Sequence, residues 1–182
     1  MDISKNTSAV CENVINFRLP RWNDLPDLEL YMDQVIALTN KFIAPICSEN
    51  DKPLTASMVN NYVKLGAMPP PEKKKYSRIH LAQLIIICVL KQVMPITTIS
   101  ELIKMALRFL SEQQMLDTFA EYYEKSAQEI AERTKARLDK IRNDPSFFDE
   151  FLPASNAIRS QIELRISENI ALAVEKDNSA QS

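Results

Sequence analysis

Glycine occurs once in these 182 residues, histidine once and cysteine three times. A globular chain carries about 7% glycine, so about a dozen are missing. Phosphate-cradling loops, dinucleotide fingerprints and nucleophile elbows all need glycine for tight turns or close backbone approach. Its scarcity sets aside most nucleotide-using and hydrolase folds. The lone histidine, His80, leaves histidine-rich metal sites and most serine or cysteine triads little to work with. At the start of an amphipathic helix it reads as a packing or surface residue. Cys11, Cys47 and Cys88 are far apart and form no Cys-x-x-Cys pair, the usage of free thiols in a cytosolic protein. The longest apolar run, Leu84 to Leu90, lies between Gln83 and Lys91 and falls well short of the roughly 20 residues of a membrane span. Met1-Asp2-Ile3-Ser4-Lys5 lacks a signal core, so a cytoplasmic chain without membrane contact is expected. Glu121, Glu124, Glu129 and Glu132 interleave with Lys and Arg and read as a solvated helix face laced by i,i+4 pairs. No constellation meets the geometry of an enzyme site, and no catalytic, cofactor-binding or metal-binding residue is expected.

What is present is helical periodicity. Apolar content of 46% suits a packed core, and no run of period-two alternation appears. The spacing predicts a first helix from Asp27 to Ala44 with Leu28, Tyr31, Val35, Leu38 and Phe42 on one face. A second runs from the Thr55 N-cap to Gly66, which closes it in the left-handed conformation. Ser77 caps a third from Arg78 to about Val93, apolar nearly all round and therefore central. Thr98-Ile99-Ser100-Glu101 is a capping box opening a fourth helix through Phe109. Ser111-Glu112-Gln113-Gln114 opens a fifth that ends near Asn143, before Pro145. The fifth carries one continuous stripe, Leu116, Phe119, Tyr123, Ala127, Ile130, Thr134, Leu138 and Ile141. A last helix after Pro153 spaces Ile158, Ile162, Ile166, Ile170 and Val174 by four.

Charge is uneven along the chain. Residues 1–51 hold four Lys/Arg against eight Asp/Glu, and residues 92–182 hold eleven against fifteen. Between them, Lys52, Lys64, Lys73, Lys74, Lys75, Arg78 and Lys91 face Glu72 alone. Such an island attracts an anion, or it is a lysine-rich solvated loop. On the second helix Ala56, Val59 and Val63 share a face that would pack inward. Ser57, Asn61 and Lys64 project oppositely, with Asn60 at the edge. Asparagine can bond adenine bidentately in the major groove, and lysine can reach guanine or phosphate; an exposed polar face is also what any soluble helix shows. Pro69-Pro70-Pro71 stiffens one arm of the following loop and Lys73-Lys74-Lys75 charges the other, as in a wing that grips the phosphate backbone.

Leu54 to Ile103 resembles the DNA-binding half of winged helix-turn-helix regulators of the mercury-resistance (MerR) type. Tyr62-Val63-Lys64-Leu65-Gly66, then Met68-Pro69-Pro70, Lys75-Tyr76-Ser77 and His80-Leu81-Ala82-Gln83-Leu84 keep that family's order and spacing. Ile96 to Ile103 matches its short following helix. The family's Arg-Tyr pair is Asn60-Asn61 here and its wing arginine falls at Lys74, an exchange that keeps phosphate grip but not bidentate geometry. Trp22 to Leu102 also resembles an uncharacterised bacterial family, domain of unknown function 1836, which implies a bacterial cytosolic protein.

The expected architecture is all-α with a small β-wing. A flexible tail (1–21) precedes a winged helix-turn-helix domain (22–110), a helical dimerisation or interaction module (111–176) and a second tail (177–182). The expected function is that of a DNA-binding transcriptional regulator. Ser57, Asn60, Asn61, Lys64, Lys73, Lys74, Lys75, Tyr76 and Arg78 would contact double-stranded DNA. The alternative is a non-catalytic protein-interaction module on the same scaffold. A homodimer through the fifth helix is expected. Its stripe needs a cover, either the same helix of a second chain or the chain's own last helix.

Overall fold

Thirteen residues, Arg78–Leu90, form a helix whose middle, His80 to Cys88, is buried without interruption. The computed structural model describes residues 16–47 and 52–143, with Ser160 in addition. Five helices run through them: α1 (Met32–Ile43), α2 (Ala56–Lys64), α3 (Arg78–Leu90), α4 (Ile96–Ala106) and α5 (Glu112–Asn143), with short 3-10 turns at Trp22–Asp24 and Ala44–Ile46. α3 packs against α1, α4 and α5. Leu81, Leu84, Ile85 and Ile87 are fully enclosed there, with Val35 from α1, Ile99 from α4 and Leu116 from α5. Apolar residues all round a helix require neighbours on every side, and α3 has them. The chain is mainly helical.

The first helix is shorter than its periodicity suggests. α1 starts at Met32, where the Tyr31 amide donates to Gln34 Oε1 at 2.9 Å. Before it, Leu30 is extended and exchanges backbone hydrogen bonds with Tyr76, both at 2.8 Å. That pairing across the chain overrides the local pattern, so Leu28 and Tyr31 are exposed and the buried face of α1 is Val35, Thr39 and Ile43. α4 begins at Ile96 on Pro95, with Ile99 N–H bonded to the Pro95 carbonyl. The expected box at Thr98 does not form, because the helix already starts at Ile96 and Thr98 lies inside its first turn rather than at the cap; Glu101 pairs with Lys104 at 2.7 Å. The box at Ser111 does form: Ser111 N–H donates to Gln114 Oε1 and Gln114 N–H to Ser111 Oγ.

The expected β-wing is replaced by something smaller. Among the described residues there is no strand, only two isolated antiparallel bridges, Leu30 with Tyr76 and Glu72 with Lys75. Three consecutive prolines, Pro69 to Pro71, carry no amide hydrogen, so one arm of the loop cannot donate to a ladder.

The approach to Trp22 is docked. Leu19 is buried and Phe17 meets Tyr123 edge-on at 5.9 Å. Arg21 donates to the Asp117 carbonyl (2.7 Å) and to Glu124 (2.9 Å), and Trp22 N–H to Asp117 (2.8 Å). Glu124 therefore holds this segment on α5 rather than facing solvent with Glu121. Of the α5 stripe, Leu116 and Ala127 are buried and Phe119 and Tyr123 half-buried, while Ile130 is exposed. The side chains of Leu138 and Ile141, the helix expected after Pro153 and Cys11 lie outside the described residues.

Candidate nucleic-acid interface

α2 is positioned at both ends by single side chains. Thr55 caps it, its Oγ1 accepting from Met58 N–H at 3.4 Å. Just before, the Asn40 amide of α1 grips both backbone groups of Leu54, accepting from N–H (2.8 Å) and donating to the carbonyl (3.2 Å). At the far end Gly66 adopts φ +68°. Gly66 N–H reaches the Val63 carbonyl and Ala67 N–H the Tyr62 carbonyl, the paired bonds of a Schellman stop. Ser100 Oγ of α4 donates to the Gly66 carbonyl at 3.1 Å.

Between these clamps Val59 and Tyr62 are buried and Met58 and Val63 half-buried. Burial pushes the Tyr62 hydroxyl up to about 12, with Cys88 of α3 adding to the effect. Ala56, expected to pack inward, is exposed; Tyr62 takes the inward place. Ser57, Asn60, Asn61 and Lys64 are all exposed.

The loop beyond is tied down by Ala67 and Met68, both buried, and then by His80. The ring of His80 accepts at Nδ1 from Ser77 N–H (3.0 Å) and contacts Ser77 Oγ (2.9 Å). That places its proton on Nε2, which lies 3.4 Å from the Pro70 carbonyl. Burial lowers the His80 pKa below its ordinary value; the Pro70 and Pro69 carbonyls and Glu72 oppose this more weakly. A neutral histidine thus closes the α3 N-terminus and pins the proline arm at once.

The tip of the loop is a turn from Glu72 to Lys75, closed by Lys75 N–H on the Glu72 carbonyl at 2.8 Å. Lys73 and Lys74 both take positive φ, 50° and 66°. Positive φ at both central positions belongs to the type I′ turn, which favours Asn-Gly. A lysine there costs roughly 1–2 kcal/mol, so stability alone does not select this pair. Both side chains are exposed.

The remaining expected contacts are engaged inside the molecule. Lys75 pairs with Glu29 at 2.8 Å, and each group shifts the other's pKa, Lys75 upward and Glu29 downward. Tyr76 is buried, its ring edge-on to His80 at 5.4 Å and its hydroxyl pKa raised by burial. Arg78 is folded over Trp22, 5.4 Å from the ring centre, with Asp27 3.6 Å away. Buried Tyr76 and folded-back Arg78 are thus corrected from the expected surface set to the packing that holds the turn. Asn40, Ser100, His80 and Glu29 escaped the sequence reading as positioning residues. Only His80 left a trace, since Ser77-x-x-His80 has the spacing of a capping box.

Among the described residues no three of His, Cys, Asp and Glu converge as a metal site would require. No helix there is long and apolar enough to cross a membrane. No curated protein and no solved structure matches the chain. A family model described as Domain of unknown function (DUF1836) matches residues 20–126, which takes in everything from the Arg21 anchor through the first half of α5. More than half of the chain lies within that match, and the protein belongs to this family.

Proposed function

We propose that the protein is a DNA-binding transcriptional regulator of helix-turn-helix type, with α2 in the major groove and, in the place of a β-wing, the Glu72–Lys75 turn on the phosphate backbone. The observation that carries this reading is the pair Lys73 and Lys74. Two cations sit in a left-handed turn that disfavours them, at the end of a loop pinned through Gly66 by Ser100 and through Pro70 by His80. Strain of this kind marks sites kept for what they contact. The exposed face Ser57, Asn60, Asn61 and Lys64 has the donors and acceptors that read base edges. The resemblance to MerR-type regulators, carried by the order of these pieces in the sequence, supports the same reading.

In this reading Lys73 and Lys74 grip phosphate, Lys75 is held by Glu29 and supports the turn, and Tyr76 and Arg78 brace it from within. A homodimer fits the same scheme. α5 spans 32 residues, about 48 Å at 1.5 Å per residue, and leaves Tyr122 and Ile130 exposed. Paired long helices would set the half-site spacing on DNA. Retention of random double-stranded fragments followed by sequencing tests the proposal. The wild type should enrich a motif, and Asn61→Ala should relax one or two positions of it. Retention without any motif would refute the reading of α2. Light scattering should give about twice the 20.8 kDa chain mass, and the mass of one chain would refute the dimer.

A further inference from the structure

Arg78 has more donors than the protein uses. Its side chain is only 18% exposed, yet its Nε is buried without a hydrogen-bond partner. The nearest carboxylate, Asp27, stands at 3.6 Å, beyond hydrogen-bond length. Asp27 itself is 89% exposed and is therefore poorly held. A guanidinium with five N–H donors, largely withdrawn from water, with a ring face on one side, one loosely placed carboxylate and an unpartnered Nε, is an unusual arrangement.

Arg78 also lines an open cleft of about 310 Å³ between the segment before α1 and the start of α3. Trp22, Leu28 and Ile79 give it apolar walls, and Leu28 is 59% exposed. That volume lies at the lower end of small-molecule sites, which combine apolar walls with a few polar anchors. Two carboxylates also border the cleft, and both are accounted for. Glu29 is neutralised by Lys75 at 2.8 Å. Asp27, loosely opposed to Arg78, occupies the place that a better-seated acid would take.

We infer that this cleft binds a small organic carboxylate, its acid group on the Arg78 fork and its apolar body against Trp22 and Leu28. A planar carboxylate matches the guanidinium fork with two parallel hydrogen bonds. The ligand displaces Asp27 toward solvent and lies beside Glu29, the residue that anchors the basic turn through Lys75. The inference does not depend on DNA binding.

Trp22 is the only tryptophan in the chain, so its emission reports on this cleft without a label. The full chain is titrated with benzoate, hexanoate, methyl benzoate and phenyl phosphate while Trp22 fluorescence is read. Benzoate should give a saturable change, and methyl benzoate, which lacks the charge, should give none. Asp27→Asn removes the internal competitor at an exposed position and should tighten benzoate several-fold. Arg78→Gln should weaken it by about tenfold or more. No saturable response to either carboxylate overturns the proposal, as does an equal response to the ester. Tighter binding of phenyl phosphate than of benzoate overturns the choice of carboxylate. If Arg78→Gln does not fold, the ester comparison and Asp27→Asn still decide the matter.

Discussion

α2 and α3 are consecutive helices that spend their surfaces in opposite ways. α3 buries residues His80 to Cys88 without a break, and α1, α4 and α5 pack around it. α2 buries Val59 and Tyr62 and leaves Ser57, Asn60, Asn61 and Lys64 in water. One helix makes the fold and the other presents a surface that the fold does not need. The loop between them belongs to both. Its proline arm is held by a side chain of α3, His80, while its tip carries lysines in a conformation that costs stability.

The largest expected effect breaks this comparison at α3. Ile85 is fully buried, and Ile85→Ala should destabilise by about 2–5 kcal/mol through lost transfer energy and the cavity left behind. Asn61→Ala on α2 should change stability by no more than about 0.5 kcal/mol while relaxing base preference. Chemical denaturation of the two variants side by side measures the contrast, and equal losses would erase it.

A smaller effect separates two kinds of left-handed residue. A Cβ built on Gly66 meets nothing within 4 Å, so Gly66→Ala costs only the torsional penalty, about 1–2 kcal/mol. At the turn the sign reverses. Lys73→Asn combined with Lys74→Gly should stabilise by about 1 kcal/mol and weaken DNA binding. Destabilisation by that pair would mean that the lysines are there for the fold.

The smallest effect concerns acidity. His80 has a lowered pKa in the fold, so the unfolded chain takes up the proton first. Stability from this residue is complete above the ordinary histidine value, about 6.5, and is lost as pH falls below it. Thermal unfolding between pH 7.5 and 5 should show that loss in the wild type and a flatter profile in His80→Asn. A parallel decline in both would remove His80 as the pin of the loop.

Where the determinants are local, the sequence was readable. Gly66 announces a helix stop because only the left-handed residue closes those carbonyls, and the Ser111 box and the apolar girth of α3 are equally self-contained. The exposure of Asn60 and Asn61 follows from helical phase alone. What escaped depends on partners distant in the chain. Leu30 pairs with Tyr76 and so unwinds the expected start of α1. Glu29 takes Lys75, Trp22 takes Arg78, and Glu124 takes Arg21. A basic residue read alone is assigned to the surface, and three of these cations are instead occupied within the molecule. The wing failed for a local reason that was visible, since three prolines in a row cannot feed a sheet.

The central claim is that the turn between these helices meets phosphate with two lysines. It is tested most directly by the salt dependence of binding to double-stranded DNA, wild type against the Lys73→Ala, Lys74→Ala double variant. Each phosphate contact contributes roughly 0.9 to the slope of log affinity against log salt. The double variant should lower that slope by about 2 and weaken all sequences alike; a slope equal to that of the wild type would contradict the account.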